Sequence, residues 1–133
     1  MLSRILLVFC LLLAIPSVKA QDDAPRKLTP DELKEMFDKK EKFFFLDVRA
    51  PEELEKLGTL PGYVNIPLGE LANRLQEVPK NQTIVSACNR AQRAATAAGI
   101  LRKNGYTNIL LFAMNDWKEK GYDVIYPKAA ERK

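Results

Sequence analysis

The 133-residue sequence predicts an α/β fold in which a central parallel β-sheet is flanked by helices on both faces, and three observations carry that expectation. Short apolar, β-prone runs alternate with stretches of helical pattern along most of the chain, the order expected of repeated β–α units. The first run, Phe43-Phe44-Phe45-Leu46, is apolar at every position, which suits a strand covered on both sides. The length accommodates one domain and not comfortably two, because each separately packed core needs at least about 50 residues.

The elements follow in order. Thr29-Pro30-Asp31-Glu32 has the capping-box arrangement, with Thr29 as N-cap, Pro30 at the first helical position and Glu32 at the third, and opens a helix toward Lys39. The phenylalanine strand comes next, its rings read as core rather than as a ligand platform. A short helix from Pro51 to Leu57, a brief strand from Val64 to Ile66 and a second short helix from Gly69 to Leu75 precede the apolar strand Thr83 to Ala87. After a loop from Cys88 to Gln92, the alanine-rich stretch Arg93 to Asn104 is helical, with Gly105 placed as its stop. Ile109 to Phe112 reads as the last strand, and Asn115 as the N-cap of a short helix ending at Gly121.

Composition narrows the chemistry. With two cysteines and no histidine, a His-based triad, a histidine metal cluster, a CxxC redox pair and a four-cysteine zinc site are all excluded. Residues 1–20 combine a basic start at Arg4, an apolar run from Ile5 to Ile15 and the small-residue ending Val18-Lys19-Ala20, the pattern of a cleaved secretory signal. The run is well short of the roughly 20 residues that span a bilayer. The expectation is an exported chain, periplasmic in a bacterium and otherwise secreted, with no membrane attachment after cleavage. Cys10 leaves with the leader, so the mature chain carries the single thiol of Cys88. Residues 21–26 read as a flexible lead-in, 27–127 as the folded domain and 128–133 as a charged tail. A net charge of +4 without a clustered basic face gives no argument for nucleic acid. Asn81-Gln82-Thr83 matches a glycosylation acceptor, a three-residue pattern of low specificity.

The candidate site is Ser86-Ala87-Cys88-Asn89-Arg90-Ala91-Gln92-Arg93. In an open parallel sheet, ligands bind beyond the carboxyl ends of the strands, and Cys88 lies at such an end with a helix starting directly behind it. Backbone N–H groups of the turn and helix start lack intrahelical partners, so they favour an anion at the sulfur, and Arg90 and Arg93 add positive charge. Cysteine is also a common inert core residue, and arginines at a helix start are often merely solvated. Two cations beside a helix N-terminus are nevertheless unfavourable unless an anion sits among them.

These residues resemble the rhodanese-like sulfurtransferase family over almost the whole folded unit. Phe45-Leu46-Asp47-Val48-Arg49 with Pro51-Glu52-Glu53 is similar to the family's Asp-Val-Arg strand end and the acidic helix after it. Gly58-Thr59-Leu60-Pro61-Gly62-Tyr63-Val64-Asn65-Ile66-Pro67 is similar to its Gly-His-Ile-Pro-Gly-Ala-Ile-Asn-Ile-Pro segment. Cys88 to Arg93 is similar to its active loop, and Ile109 to Gly121, with Trp117, to its last strand and helix.

The resemblance implies a single rhodanese-like domain in which Cys88 is the catalytic nucleophile and carries a persulfide. Asn89, Arg90, Ala91, Gln92 and Arg93 then form the substrate-binding loop, with Arg90 drawing in an anionic donor, and Asp47 and Arg49 support the loops. It implies a small sulfur donor such as thiosulfate, a thiol or protein acceptor, a monomer, and no cofactor or metal. Arg93→Ala is expected to slow anionic donors more than neutral persulfides. The six-residue loop suits one extra sulfur atom, whereas the related phosphatases use a longer loop around phosphate.

Four departures surround this site. Thr59 stands where the family has His; Ala91 takes a position held by Gly, where a positive φ would cost about 1 kcal/mol and reshape the loop. Ala94 replaces a Ser or Thr, and Ala113-Met114-Asn115 replaces a Gly-Gly turn. They weigh against efficient thiosulfate turnover more than against sulfur binding at Cys88. The competing expectation is a non-catalytic rhodanese-fold module for sulfur delivery or protein binding.

Overall fold

A computed structural model describes residues 24–128. The expected leader with Cys10, the first three residues of the lead-in and the tail beyond Lys128 lie outside them.

The chain runs α1 (Pro30–Asp38), β1 (Phe43–Asp47), α2 (Pro51–Leu57), β2 (Tyr63–Asn65), α3 (Leu68–Leu71), a 3₁₀ turn (Leu75–Glu77), β3 (Thr83–Cys88), α4 (Gln92–Lys103), β4 (Ile109–Ala113) and α5 (Met114–Glu119). The strands form a parallel sheet in the order β2-β1-β3-β4. Its register sets Asp47 beside Ala87 and Cys88 beside Ala113, so the carboxyl ends of β1, β3 and β4 open on one edge.

Alternation along β1 shows why Phe43 to Leu46 are apolar at every position. Phe45 packs with Leu28, Leu33, Val85, Phe112 and Trp117 on one face. Leu46 packs with Ile66, Leu71, Ile84, Ala98 and Leu101 on the other. Each such side chain, removed from water, contributes about 1.5–3 kcal/mol. Trp117 closes the first core edge-to-face on Phe112, with ring centroids 6.0 Å apart, and its indole N–H donates to the Asp123 carbonyl at 2.8 Å. The capping box of α1 forms in full: Glu32 N–H donates to Thr29 Oγ1 and Thr29 N–H to Glu32 Oε2.

Three expectations about the elements are corrected. The helix expected from Gly69 to Leu75 ends at Leu71, and a separate 3₁₀ turn covers Leu75–Glu77. The buried Leu71 and the Tyr106 hydroxyl, 2.8 Å from both the Leu75 and Val78 carbonyls, hold the chain in a turn toward β3 where a longer helix would carry it past. Asn115 is not an N-cap: the cap position is Ala113, two residues earlier, and the Asn115 N–H donates to the Asn89 carbonyl at 3.0 Å. The lead-in, expected to be loose through Arg26, is already engaged there, since the Arg26 carbonyl accepts from Leu111 N–H at 2.9 Å. Leu28 N–H in turn donates to the Leu111 carbonyl, so residues 26–28 cover the outer edge of β4.

Candidate active site

Cys88 is the last residue of β3, on the face shared with Ile84 and Ser86, and its side chain is only 2% exposed. Ala91 precedes α4, so Gln92, Arg93 and Ala94 carry helix-start N–H groups with no carbonyl one turn earlier to accept them. The third of these, Ala94 N–H, points at Cys88 Sγ at 3.4 Å. Ser86 fixes the other side of that residue by donating its hydroxyl to the Ala94 carbonyl at 3.0 Å. The departure at Ala94 therefore costs a hydroxyl, while the backbone donor to the sulfur is retained.

Ala91 adopts φ +69°, in the left-handed region. The expectation that alanine would give the loop a different shape is thus corrected: the loop makes the glycine-type turn, at the cost of an unfavourable backbone conformation. Ala91→Gly is expected to raise stability by about 0.5–1 kcal/mol, less than the full strain because glycine also loosens the unfolded chain. A chemical denaturation midpoint that falls in this variant would contradict the strain.

Beneath the loop lies a buried ionic network. Asp47 accepts at Oδ1 from Arg49 Nε at 2.9 Å and at Oδ2 from Arg49 Nη2 at 2.6 Å. The Thr59 hydroxyl donates to the same Oδ2 at 2.8 Å. Arg49 then reaches outward, Nη2 to the Gly58 carbonyl at 2.8 Å and Nη1 to Asn89 Oδ1 at 2.9 Å. Asp47, Arg49 and Thr59 are all fully buried. Through these bonds Asp47 and Arg49 tie the end of β1, the end of α2 and the Cys88 loop together.

Glu53 completes the support from above. Its carboxylate accepts both Arg93 guanidinium nitrogens at 2.8 Å, the Asn89 amide at 3.2 Å and the Ala50 N–H at 2.8 Å. Hydrogen bonding to Arg93, reinforced by the Ala50 N–H and by the charges of Arg93 and Arg49, pulls its carboxyl down to about 2 against the desolvation that opposes it. A depressed carboxyl pKa stabilises the fold above the group's unfolded value and loses that contribution as pH falls through the folded value. Glu53→Gln is therefore expected to be less stable than the parent by about 1 kcal/mol at neutral pH. The gap should shrink from pH ~5 downward and vanish near pH 2, read by thermal unfolding of both proteins across that range. A gap independent of pH would contradict it.

The loop's charges divide accordingly. Arg93 is paired with Glu53, and Asn89 bonds to Arg49 and Glu53, so both side chains hold the loop. Arg90 and Gln92 are exposed, and Arg90 makes no ion pair among the described residues. Cys88, Asn89, Arg90, Gln92 and Arg93, with Leu57 from α2 and Asn115 from α5, line a cleft of about 490 Å³. Thr59 and Asn115 stand in the sequence among the departures around the site, but Glu53 and Leu57 are not singled out there as site residues. The available signal was weak: Glu53 sits at the third position of α2, where a carboxylate folds back on the helix start and leaves lone pairs directed outward. Among the described residues, no cluster of three or more acidic, histidine or cysteine side chains could hold a metal.

A buried thiol thus sits at a strand end of a parallel α/β sheet, facing a helix-start amide in a cleft that Arg90 also lines. The family model of the rhodanese-like domain matches residues 29–120, and the chain belongs to that family. It is 34% identical over 96 residues to a putative sulfur carrier protein, YrkF, of Bacillus subtilis, covering 71% of this chain and 51% of that one, so it spans about half of that relative's length. It is also 34% identical over 90 residues to the human thiosulfate:glutathione sulfurtransferase, covering 56% of this chain and 77% of the relative. Among solved structures, a rhodanese-related protein from Thermoplasma volcanium superposes with a TM-score of 0.68 at 28% identity, covering 77% of this chain and 99% of its own.

Proposed function

We propose that this protein is a rhodanese-type sulfurtransferase that moves a sulfane sulfur from an anionic donor such as thiosulfate, or from a persulfide, to a thiol or protein acceptor. The observation that carries the reading is Cys88 Sγ in the lining of the cleft, 3.4 Å from the Ala94 N–H, with Arg90, which makes no ion pair among the described residues, in the same lining. The names of two relatives, a putative sulfur carrier and a thiosulfate:glutathione sulfurtransferase, support the same direction.

In the first step the Cys88 thiolate attacks the outer sulfur of thiosulfate. A new S–S bond forms at Sγ, the old S–S bond breaks, and sulfite leaves with its electron pair. In the second step an acceptor thiolate attacks the outer sulfur of the Cys88 persulfide, and the Sγ–S electron pair returns to Cys88. No external oxidant or reductant enters either step. The Ala94 N–H and the α4 start stabilise negative charge on sulfur in both states. Export of the mature chain, read from residues 1–20, belongs to the same proposal.

Enzyme mixed with excess thiosulfate in the absence of acceptor tests this reading: one sulfite released per protein in a single burst is expected, and no sulfite would contradict it. The second reading, a non-catalytic sulfur-delivery module, is favoured by Ala94, which offers no hydroxyl near the sulfur, and predicts no burst.

The division of charge shifts the expectation first placed on Arg93. Arg90→Ala should raise KM for thiosulfate about fivefold and leave a neutral persulfide donor within twofold, the effect of one exposed charge. Arg93→Ala should lower kcat for both donors alike, because it releases Glu53 and the loop. A charge-selective effect at Arg93 and none at Arg90 would reverse this assignment.

A further inference from the structure

We propose that Ser86 is a positioning residue for sulfur transfer, its buried hydroxyl holding the first turn of α4 so that the Ala94 N–H stays aimed at Cys88 Sγ; this rests on the reading of Cys88 as the group that carries sulfur. Two hydrogen bonds meet at Ala94. Its N–H points at Cys88 Sγ at 3.4 Å, and its carbonyl accepts the Ser86 hydroxyl at 3.0 Å. Ser86 and Cys88 stand two positions apart on β3, hence on one face of the sheet, so both ends of residue 94 are tied to the same strand face.

Packing alone does not call for serine here. Ser86 is fully buried in the sheet, in register with Leu46 of β1 and Leu111 of β4, where an apolar side chain would avoid the cost of burying a hydroxyl. The Ala94 carbonyl is the partner that offsets that cost, and a helix carbonyl keeps a second lone pair beyond its ladder bond, so α4 is not broken. The start of α4 needs the tie. Ala91 precedes it in the left-handed region with no side-chain cap bond, and its first turn holds no acidic residue. Ala94, Ala97 and Ala98 offer the core only methyl groups, and the Arg93–Glu53 pair anchors the turn through partly exposed side chains. The Ser86 hydroxyl anchors it from the strand that carries the thiol.

The consequence is chemical. The Ala94 N–H stabilises charge on Sγ when the thiolate attacks the donor and again when the Sγ–S electron pair returns to it. That help depends on aim, because a hydrogen bond weakens steeply as its angle closes, and a first turn free to rock weakens it in both steps. Ser86 does not line the cleft, so its effect belongs to the rate of the chemical step and not to donor binding. A chain without a hydroxyl at residue 94 thus acts on that residue with one from residue 86.

The test compares Ser86→Ala with Ile84→Val, which trims the same face of β3 without altering a donor. At saturating thiosulfate without acceptor, the sulfite burst of Ser86→Ala should slow about three- to tenfold, less than the roughly hundredfold loss that follows outright deletion of such a donor. The half-saturating thiosulfate concentration should stay within about twofold, a neutral persulfide donor should show the same slowing, and Ile84→Val should match the parent. Ser86→Thr, which keeps the hydroxyl on a residue suited to a strand, should restore the rate. The Ala94 amide proton gives a second readout: its NMR signal should move as Cys88 ionises, with an amplitude about halved in Ser86→Ala and no movement in Cys88→Ser. A burst as fast in Ser86→Ala as in Ile84→Val, a change confined to half-saturation, or an undiminished Ala94 movement would overturn the role. Because the amide readout requires no sulfur transfer, a missing burst with a Ser86-dependent Ala94 movement would remove the sulfurtransferase reading alone. A normal burst in both the parent and Ser86→Ala would remove the positioning role alone.

Discussion

Asp47→Ala is expected to destabilise the domain by about 3–5 kcal/mol, the loss that follows when one partner of a buried ion pair is removed. Asp47 is fully buried and accepts four hydrogen bonds, from the Arg49 backbone N–H, from two Arg49 side-chain nitrogens and from Thr59. The truncation leaves the Arg49 guanidinium buried with only the Gly58 carbonyl and Asn89 Oδ1, and the Thr59 hydroxyl without its acceptor. Urea denaturation measures the effect if the variant folds. If it does not, the double variant Asp47→Leu/Arg49→Met supplies the second reading: removing both charges should recover part of the loss, since a matched apolar pair avoids the orphaned cation. Recovery should be incomplete, because Asn89 and the Gly58 carbonyl lose their donor. A single variant within about 1 kcal/mol of the parent would show that the network contributes little.

Cys88→Ser should reduce sulfur transfer to the uncatalysed background while leaving the fold in place. Serine keeps the approximate shape at the end of β3 and can accept from the Ala94 N–H, but its hydroxyl is scarcely ionised near neutral pH and cannot hold a sulfane sulfur. The exchange of sulfur for oxygen in a core shared with Ile66, Ile84 and Ala98 should cost about 1 kcal/mol. A loss of activity with a preserved unfolding curve identifies Cys88 as the reacting group. Residual transfer above background would mean that another group in the cleft carries sulfur.

Local pattern carried most of the architecture. The capping box at Thr29, the apolar run from Phe43 to Leu46 and the alanine-rich run of α4 each state their structure within a few residues, and their observed bounds differ from the expected ones by a residue or so. The helix expected from Gly69 to Leu75 was illegible because its end is set by the Tyr106 hydroxyl, 31 positions beyond Leu75 in the chain. The same limit divides the site. Cys88, its helix-start amides and the positive φ at Ala91 follow from a strand running directly into a helix. Glu53 and Arg93 are 40 residues apart, and only the fold brings them within 2.8 Å. Thr59 shows the converse: read as the loss of a ring, it places a hydroxyl on Asp47 that a list of departures cannot reveal. Arg90 and Arg93 look equivalent in sequence; the carboxylate of Glu53 makes one a strut and leaves the other free.

The central claim is that Cys88 accepts and keeps a sulfane sulfur. The intact mass of the mature protein after incubation with thiosulfate and removal of small molecules tests it most directly. The predicted result is a gain of one sulfur atom per chain that disappears on adding a thiol and never forms in Cys88→Ser. An unchanged mass in the parent protein, or the same gain in Cys88→Ser, would contradict it.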